Sequence, residues 1–423
     1  MAEPLNRLFD WILSWFGGAV PLNHPIGYVL AALVYVSLVL GLIASSSLLF
    51  IWLERKVAGR IQDRLGPTRV GGKFGWLQTL ADGLKLLTKE DLVPGDADQM
   101  MFRIAPYVSF CASLAGFIAI PFAGRDFPFV AQHLNVGVFF VLAVMGLEVF
   151  GVILAGYGSA SKWSLFGAMR EAAQVVSYEV PLGLCVVIPV MLAGSMDLVV
   201  IGDKQQGWFT NWYLLHDPFT FLVFWVYFTC ATASVNRAPF DLAEAESELV
   251  AGFHTEYSGL RWSFFFMAEY GSMLAVSLLA SILFLGGWNG PIPIGDLLGL
   301  GGNDIAVLGY IGNLIGLVNV LVKAILLVIV MMWVRWTLPR LRIDQVMTTC
   351  LKYCTPIAAA MFVGAALWHV AMPDRVFLGL LQAPAANRMV TEKPLVEPEL
   401  ATPPAEEALI AKNETNHSQE GQP

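Results

Sequence analysis

The sequence predicts an all-α polytopic membrane protein with about eight transmembrane helices and further amphipathic helices at the interface. Three observations carry this. The 423 residues are 57% apolar and only 14% charged, whereas soluble domains carry roughly a quarter charged residues; the mean hydropathy is +0.64. Apolar runs of the about 20 residues that cross a bilayer recur at 28–53, 104–123, 135–157, 173–194, 218–235, 262–287, 308–334 and 353–372. Between them the lysines and arginines alternate. The segments after the first, third, fifth and seventh runs hold nine, two, two and four of them, while the N-terminus and the intervening segments hold one, one, one and none.

Short cytoplasmic loops collect such residues, so 54–103, 158–172, 236–261 and 335–352 are expected on the cytoplasmic side and both termini on the periplasmic side. The three regions expected are an N-terminal interfacial segment at 1–27, a membrane domain at 28–372, and a C-terminal extension at 373–423. The first lacks the basic start and cleavage site of a signal peptide. The last is rich in Pro, Glu, Asn and Ala and is expected to be largely disordered.

Charge and cysteine usage exclude several classes. A net charge of −8 with no basic patch of interleaved aromatics argues against nucleic acid as a partner. Cys111, Cys185, Cys230, Cys350 and Cys354 form no CxxC pair, so neither disulfides nor cluster ligation are expected. Of six histidines only His369 lies well inside an apolar run, which leaves a haem without paired ligands. No metal site and no cofactor bound by this chain is expected.

In the first loop, 76–89 puts Trp76, Leu77, Leu80, Leu84 and Leu87 on one helical face, with Gln78, Asp82, Lys85 and Lys89 opposite. Such a helix lies along the membrane surface, either as a plain anchor or as the roof of a cavity with Asp82 aimed inward. Within the apolar runs stand Glu148, Glu179, Glu269 and Lys323, each costing about 2.5–3.5 kcal/mol if ionised at mid-membrane. Each has a reading as half of a static ion pair; together they suggest a hydrated proton path. Pro181 and Pro189 are expected to break the backbone ladder beside Glu179.

The densest charge lies at 236–257, NRAPFDLAEAESELVAGFHTEY. Asp241, Glu244 and Glu248 fall at i, i+3 and i+7, so a helix would align them on one face with Glu246 on another. Arg237 supplies a fixed positive charge. A solvated acidic loop is the plain alternative, against which stand Leu242, Leu249, Val250 and Phe253, apolar positions that favour burial.

Five stretches in order carry a resemblance: ERKVAGRIQDRLGPTRVG at 54–71, LADGLKLLTKED at 80–91, GAMREAAQVVSYEVPL at 167–182, NRAPFDLAEAESELVAGFHTEYSG at 236–259 and WVRWTLPRLRIDQVM at 333–347. From about 28 to 372 the chain resembles the quinone-site membrane subunits of respiratory complex I, found in the bacterial proton-pumping NADH:quinone oxidoreductases. The resemblance implies an eight-helix subunit of an enzyme complex, with no isolated activity, in a bacterial inner membrane. It implies quinone as substrate in a chamber touched by Glu54, Arg55, Lys56, Asp82, Arg237, Asp241, Glu244, Glu246 and Glu248. It also implies a proton path through Glu148, Glu179 and Glu269, with no residue firmly assigned a catalytic role.

Implied partners are the peripheral-arm quinone-site and iron–sulfur subunits, which hold FMN and the clusters, the small and antiporter-like membrane subunits, and lipid. Arg335, Arg340, Arg342 and Asp344 match a basic motif suited to docking. One departure stands out: the resemblance calls for an acid two residues before the Asn-Arg pair, where this chain has Ser234. The alternative readings are the related membrane subunit of an energy-converting hydrogenase, and a standalone ion-translocating carrier.

Overall fold

The computed structural model describes residues 25–124, 129–292 and 306–371, all within the first of two compact units, Met1–Gly379. The second unit, Leu380–Pro423, lies outside the described residues, as do nearly all of the expected interfacial segment and the whole of the C-terminal extension. The described residues form helices and no strand.

In chain order the helices are α1 Pro25–Ile61, α2 Gln78–Thr88, α3 Gln99–Gly116, α4 Gly137–Gly158, α5 Lys162–Ala193, α6 Leu198–Lys204, α7 Pro218–Ser234, α8 Glu246–Leu249, α9 Gly259–Phe284, α10 Ala306–Thr337, α11 Ile343–Met347 and α12 Thr355–Ala371. A π-helical turn at Thr348–Cys354 joins the last two. Six stretches are long and apolar enough to cross a membrane: most of α1 and α10, all of α4, α5 and α9, and the run from α11 through α12. The other two expected spans are the 18-residue α3 and the 17-residue α7. Apolar side chains cover the outside, as lipid contact requires: Phe139, Leu147, Val176, Leu326 and Val363 are all exposed.

The core gathers on α9, in which every residue from Tyr270 to Phe284 is buried. Close approach is achieved through small residues: a Cβ on Gly271 would stand 2.6 Å from Ser113 Oγ of α3, and that hydroxyl donates to Ala268 O at 3.0 Å.

Several boundaries differ from those expected. α1 runs to Ile61, so Glu54, Arg55 and Lys56 sit on its last turns rather than in a loop. α5 begins at Lys162, eleven residues before the predicted span, because an apolar window stops at Arg170 and Glu171 while the helix does not. It also continues through Pro181 and Pro189; the helix survives with two backbone donors missing.

The acidic stretch departs most. Only Glu246–Leu249 is α-helical, with a 3-10 turn at Gly252–His254, so Asp241, Glu244 and Glu248 do not share a helical face. Phe240, Leu242, Ala243, Ala245, Leu249 and Phe253 are all buried, more directions than one helical stripe can serve, and the chain turns at Asn236 (φ 53°) and Val250 (φ 68°). Val250, expected inside, is 62% exposed.

Candidate functional site

α2 settles against α1 and α9 with its polar face inward. Leu77, Leu80, Leu84 and Leu87 are exposed on the outside, while Gln78, Thr79 and Asp82 line a cavity of about 910 Å³. Its other walls include Ser47, Glu54, Arg55 and Ala58 of α1, Phe266 and Tyr270 of α9, and Arg335 of α10. The helix therefore roofs a cavity. Arg55 meets Asp82 at 2.5 Å across that wall. The Lys56 ammonium turns away from it, donating to the carbonyl of Pro67 at 2.7 Å and pinning the loop after α1.

Glu54 is 5% exposed and is the point where the cavity meets a buried ion network. The Tyr270 hydroxyl donates to it and Arg335 pairs with it. Arg237 Nη1 donates to both of its oxygens at 3.3 Å. The same guanidinium pairs through Nε with Glu269 at 2.8 Å and stacks over the Tyr270 ring at 4.4 Å. Burial works against the charge of Arg237, but Glu269, Tyr270 and Glu244 outweigh it and hold its pKa above the ordinary arginine value. A charge this enclosed persists only when paired on each side.

Beyond Arg237 lies a second, small cavity of about 30 Å³. Glu148, Glu171, Glu244 and Glu269 line it with His254, Ser234, Asn236 and Ser109. One water needs about 10–15 Å³, so the space has room for water. Glu244 pairs with His254 Nε2 at 2.6 Å; burial pushes its carboxyl up, and His254, Arg237 and Arg340 together outweigh this, leaving it below the usual carboxylate range. Asp241, nearby and buried, pairs with Arg340 at 2.8 Å. Glu148 accepts from Ser272 Oγ.

Further on, a cavity of about 400 Å³ between α4, α5, α7 and α9 holds Glu179. Met145 and Ser234 line both this space and the small one. Glu179 faces outward from the chain, exposed on the α4–α5 side. Glu248 is half exposed and reaches Arg170 at 2.5 Å; the Glu246 side chain lies outside the described residues. Lys323 stands apart, donating to the carbonyls of Leu285 (2.6 Å), Gly287 (2.8 Å) and Asn289 (2.5 Å), where it ties off the end of α9. No group of three or more His, Cys, Asp or Glu residues is arranged to hold a metal among the described residues.

Three participants were missed by the sequence reading. Arg335 and Arg340, matched there to docking, are partners of Glu54 and Asp241. Glu171 was hidden inside an expected loop, yet it is fully buried. The signal for it was present: Ser164, Gly167, Glu171, Gln174 and Tyr178 recur at three- and four-residue spacing, and all are buried.

The fold and the site define an α-helical polytopic membrane protein whose large cavity is tied, through one buried arginine, to a cluster of carboxylates. The chain belongs to the NADH dehydrogenase family, whose model it matches over residues 33–366. It is 45% identical over 371 residues to the H subunit of the NADH-quinone oxidoreductase of Chlorobium luteolum, covering 87% of this chain and 96% of that one. It is 44% identical to the corresponding NADH-quinone oxidoreductase chain of Chlorobaculum tepidum (86% and 96% covered) and 43% to that of Anaeromyxobacter dehalogenans (76% and 77%).

Proposed function

We propose that this chain is the membrane subunit of a proton-pumping NADH:quinone oxidoreductase that admits quinone to the Glu54 cavity and converts its reduction into a charge change among the carboxylates. The relatives support the enzyme, and they support it over a hydrogenase subunit or a standalone carrier. Other subunits of that complex are then its partners, supplying FMN and iron–sulfur clusters from a peripheral arm on the cytoplasmic side; both termini lie on the other side. The exposed Glu179 suits a face covered by a neighbouring membrane subunit, since an uncovered carboxylate at that depth is costly.

The observation that carries the reading is Arg237. One guanidinium pairs with Glu54, in the wall of the large cavity, and with Glu269, in the wall of the small one. Reduction of a quinone to a quinol consumes two electrons and two protons. Protons drawn from groups on the large cavity leave charge behind there, and Arg237 shifts its balance between Glu54 and Glu269 in response. At an effective dielectric of about 20 and a separation of about 8 Å, one unit of charge is worth roughly 2 kcal/mol. That moves a neighbouring carboxyl by more than about one pKa unit, enough to drive a proton along Glu244, Glu148 and Glu179.

The test is Arg237→Ala in the assembled complex. Quinone reduction is expected to collapse, while NADH oxidation by a hydrophilic artificial acceptor, which enters upstream, is retained. Unchanged quinone reduction would sink the reading. Loss of both activities would mark failed assembly, and Arg237→Lys, which keeps a charge but not two ion pairs, then separates the cases by partial quinone activity.

A further inference from the structure

We propose that Glu171 is the proton-holding carboxylate that links the acids around Arg237 to Glu148 and Glu179, standing in from α5 for the acid that position 234 lacks. This rests on the reading of the chain as a proton-coupled subunit and adds a residue to it.

Glu171 is 0% exposed, on a helix turn that an apolar window excludes from the membrane. Its Oε1 accepts from Asn236 Nδ2 at 2.8 Å, and Asn236 is held in turn by Gln174 Nε2 at 2.9 Å. Its Oε2 has no protein partner. A buried carboxylate oxygen left unpaired costs too much to persist without a role or a water, and the residue lines the small cavity that Glu148, Glu244 and Glu269 also line. The nitrogen His254 Nδ1, on the same cavity, is likewise unpartnered.

The approach is built by two glycines. Gly167, one turn before Glu171, lets α5 meet the loop so closely that a Cβ there would lie 2.8 Å from both Ala243 O and Phe253 N. Gly252, at φ +56°, has no room for a side chain against Ala243 O. Ser234, in the wall shared with the Glu179 cavity, offers a hydroxyl within hydrogen-bonding reach of Tyr178 but no group that ionises at neutral pH. Among the carboxylates lining the small cavity, Glu171 is the one with an unpartnered buried oxygen, and it faces Glu148, Glu244 and Asp241 electrostatically.

The step is a proton transfer without electron movement. Once charge in the large cavity has drawn a proton onto Glu244, its O–H bond breaks, an O–H bond forms on Glu171 Oε2 through water in the cavity, and Glu244 is left as carboxylate. Glu171 then passes the proton to Glu148 and returns to its ionised form.

The experiment uses the assembled complex in proteoliposomes, comparing Glu171→Gln, Glu171→Asp, Glu171→Gln with Ser234→Glu, and Glu148→Gln. Electron entry from NADH to a hydrophilic acceptor reports assembly. Glu171→Gln is expected to lower coupled turnover and pumping by about a hundredfold, the low end of what one positioned proton-transfer group contributes. Ser234→Glu in that background is expected to restore most of it. Normal pumping in Glu171→Gln with a defect in Glu148→Gln overturns the assignment of Glu171 alone. Normal pumping in both overturns the coupling reading and this inference with it. A defect relieved by neither Ser234→Glu nor Glu171→Asp marks a packing role and also overturns the inference. If Glu171→Gln fails to assemble, infrared difference spectra on quinone reduction decide: the carboxyl band shifts in Glu171→Asp, and an unshifted spectrum refutes the proposal.

Discussion

Asp241 is a buried acid in the loop after α7. Burial and the neighbouring Glu244 push its carboxyl up, and Arg340 pulls it back, to about 6 against an ordinary 3.8. With the folded value raised, the protonated form favours the folded state. That contribution is full below pH 3.8 and is lost as pH rises through about 6. Arg340→Gln removes the downward pull, so the acid limb of the pH profile of NADH:quinone turnover is expected to move to higher pH; an unmoved limb would separate Asp241 from turnover. Single residues were legible where the chain is apolar: Glu148, Glu179, Glu269 and Lys323 stand out because a charge there demands a reason. Their partners were not. Glu54 and Arg237 are 183 residues apart, and nothing local in either segment announces the pair. Lys323 shows the limit, since nothing around it in the sequence announces the three carbonyls it holds.

At the scale of elements, α5 and the loop after α7 form the joint on which the acids depend. Gly167→Ala places a methyl against two backbone atoms that cannot give way, so the loop is expected to unseat and the amount of assembled complex to fall several-fold on native gels. Gly183→Ala, on the same helix with open space around it, is expected to leave assembly unchanged; equal effects would refute the joint. The amphipathic period of α2 was readable, and the face it turns to the cavity follows from pairing Asp82 with Arg55. The acidic loop was misjudged because i, i+3, i+7 spacing signals a helix only when one face is buried, and here Leu242, Ala243 and Ala245 are buried together.

For the whole molecule, helical class and membrane residence were written in composition and run length, which depend on bulk hydrophobicity alone. The order of cavities was not, since it arises from which helices pack together. Filling the first cavity tests its use: Ser47→Trp places an indole in a wall of the about 910 Å³ space and is expected to raise the KM for quinone several-fold while electron entry to a hydrophilic acceptor stays normal. An unchanged KM would place quinone elsewhere.

In the proposed function, charge passes from this cavity to the carboxylates through Arg237 and Glu269. The rates of quinone reduction by NADH and of proton pumping, measured in proteoliposomes carrying the Glu269→Gln complex, test this most directly. Both rates are expected to fall by about a hundredfold, the low end of what one positioned proton-transfer group contributes, with NADH oxidation by a hydrophilic acceptor intact; wild-type pumping at wild-type turnover would refute the coupling.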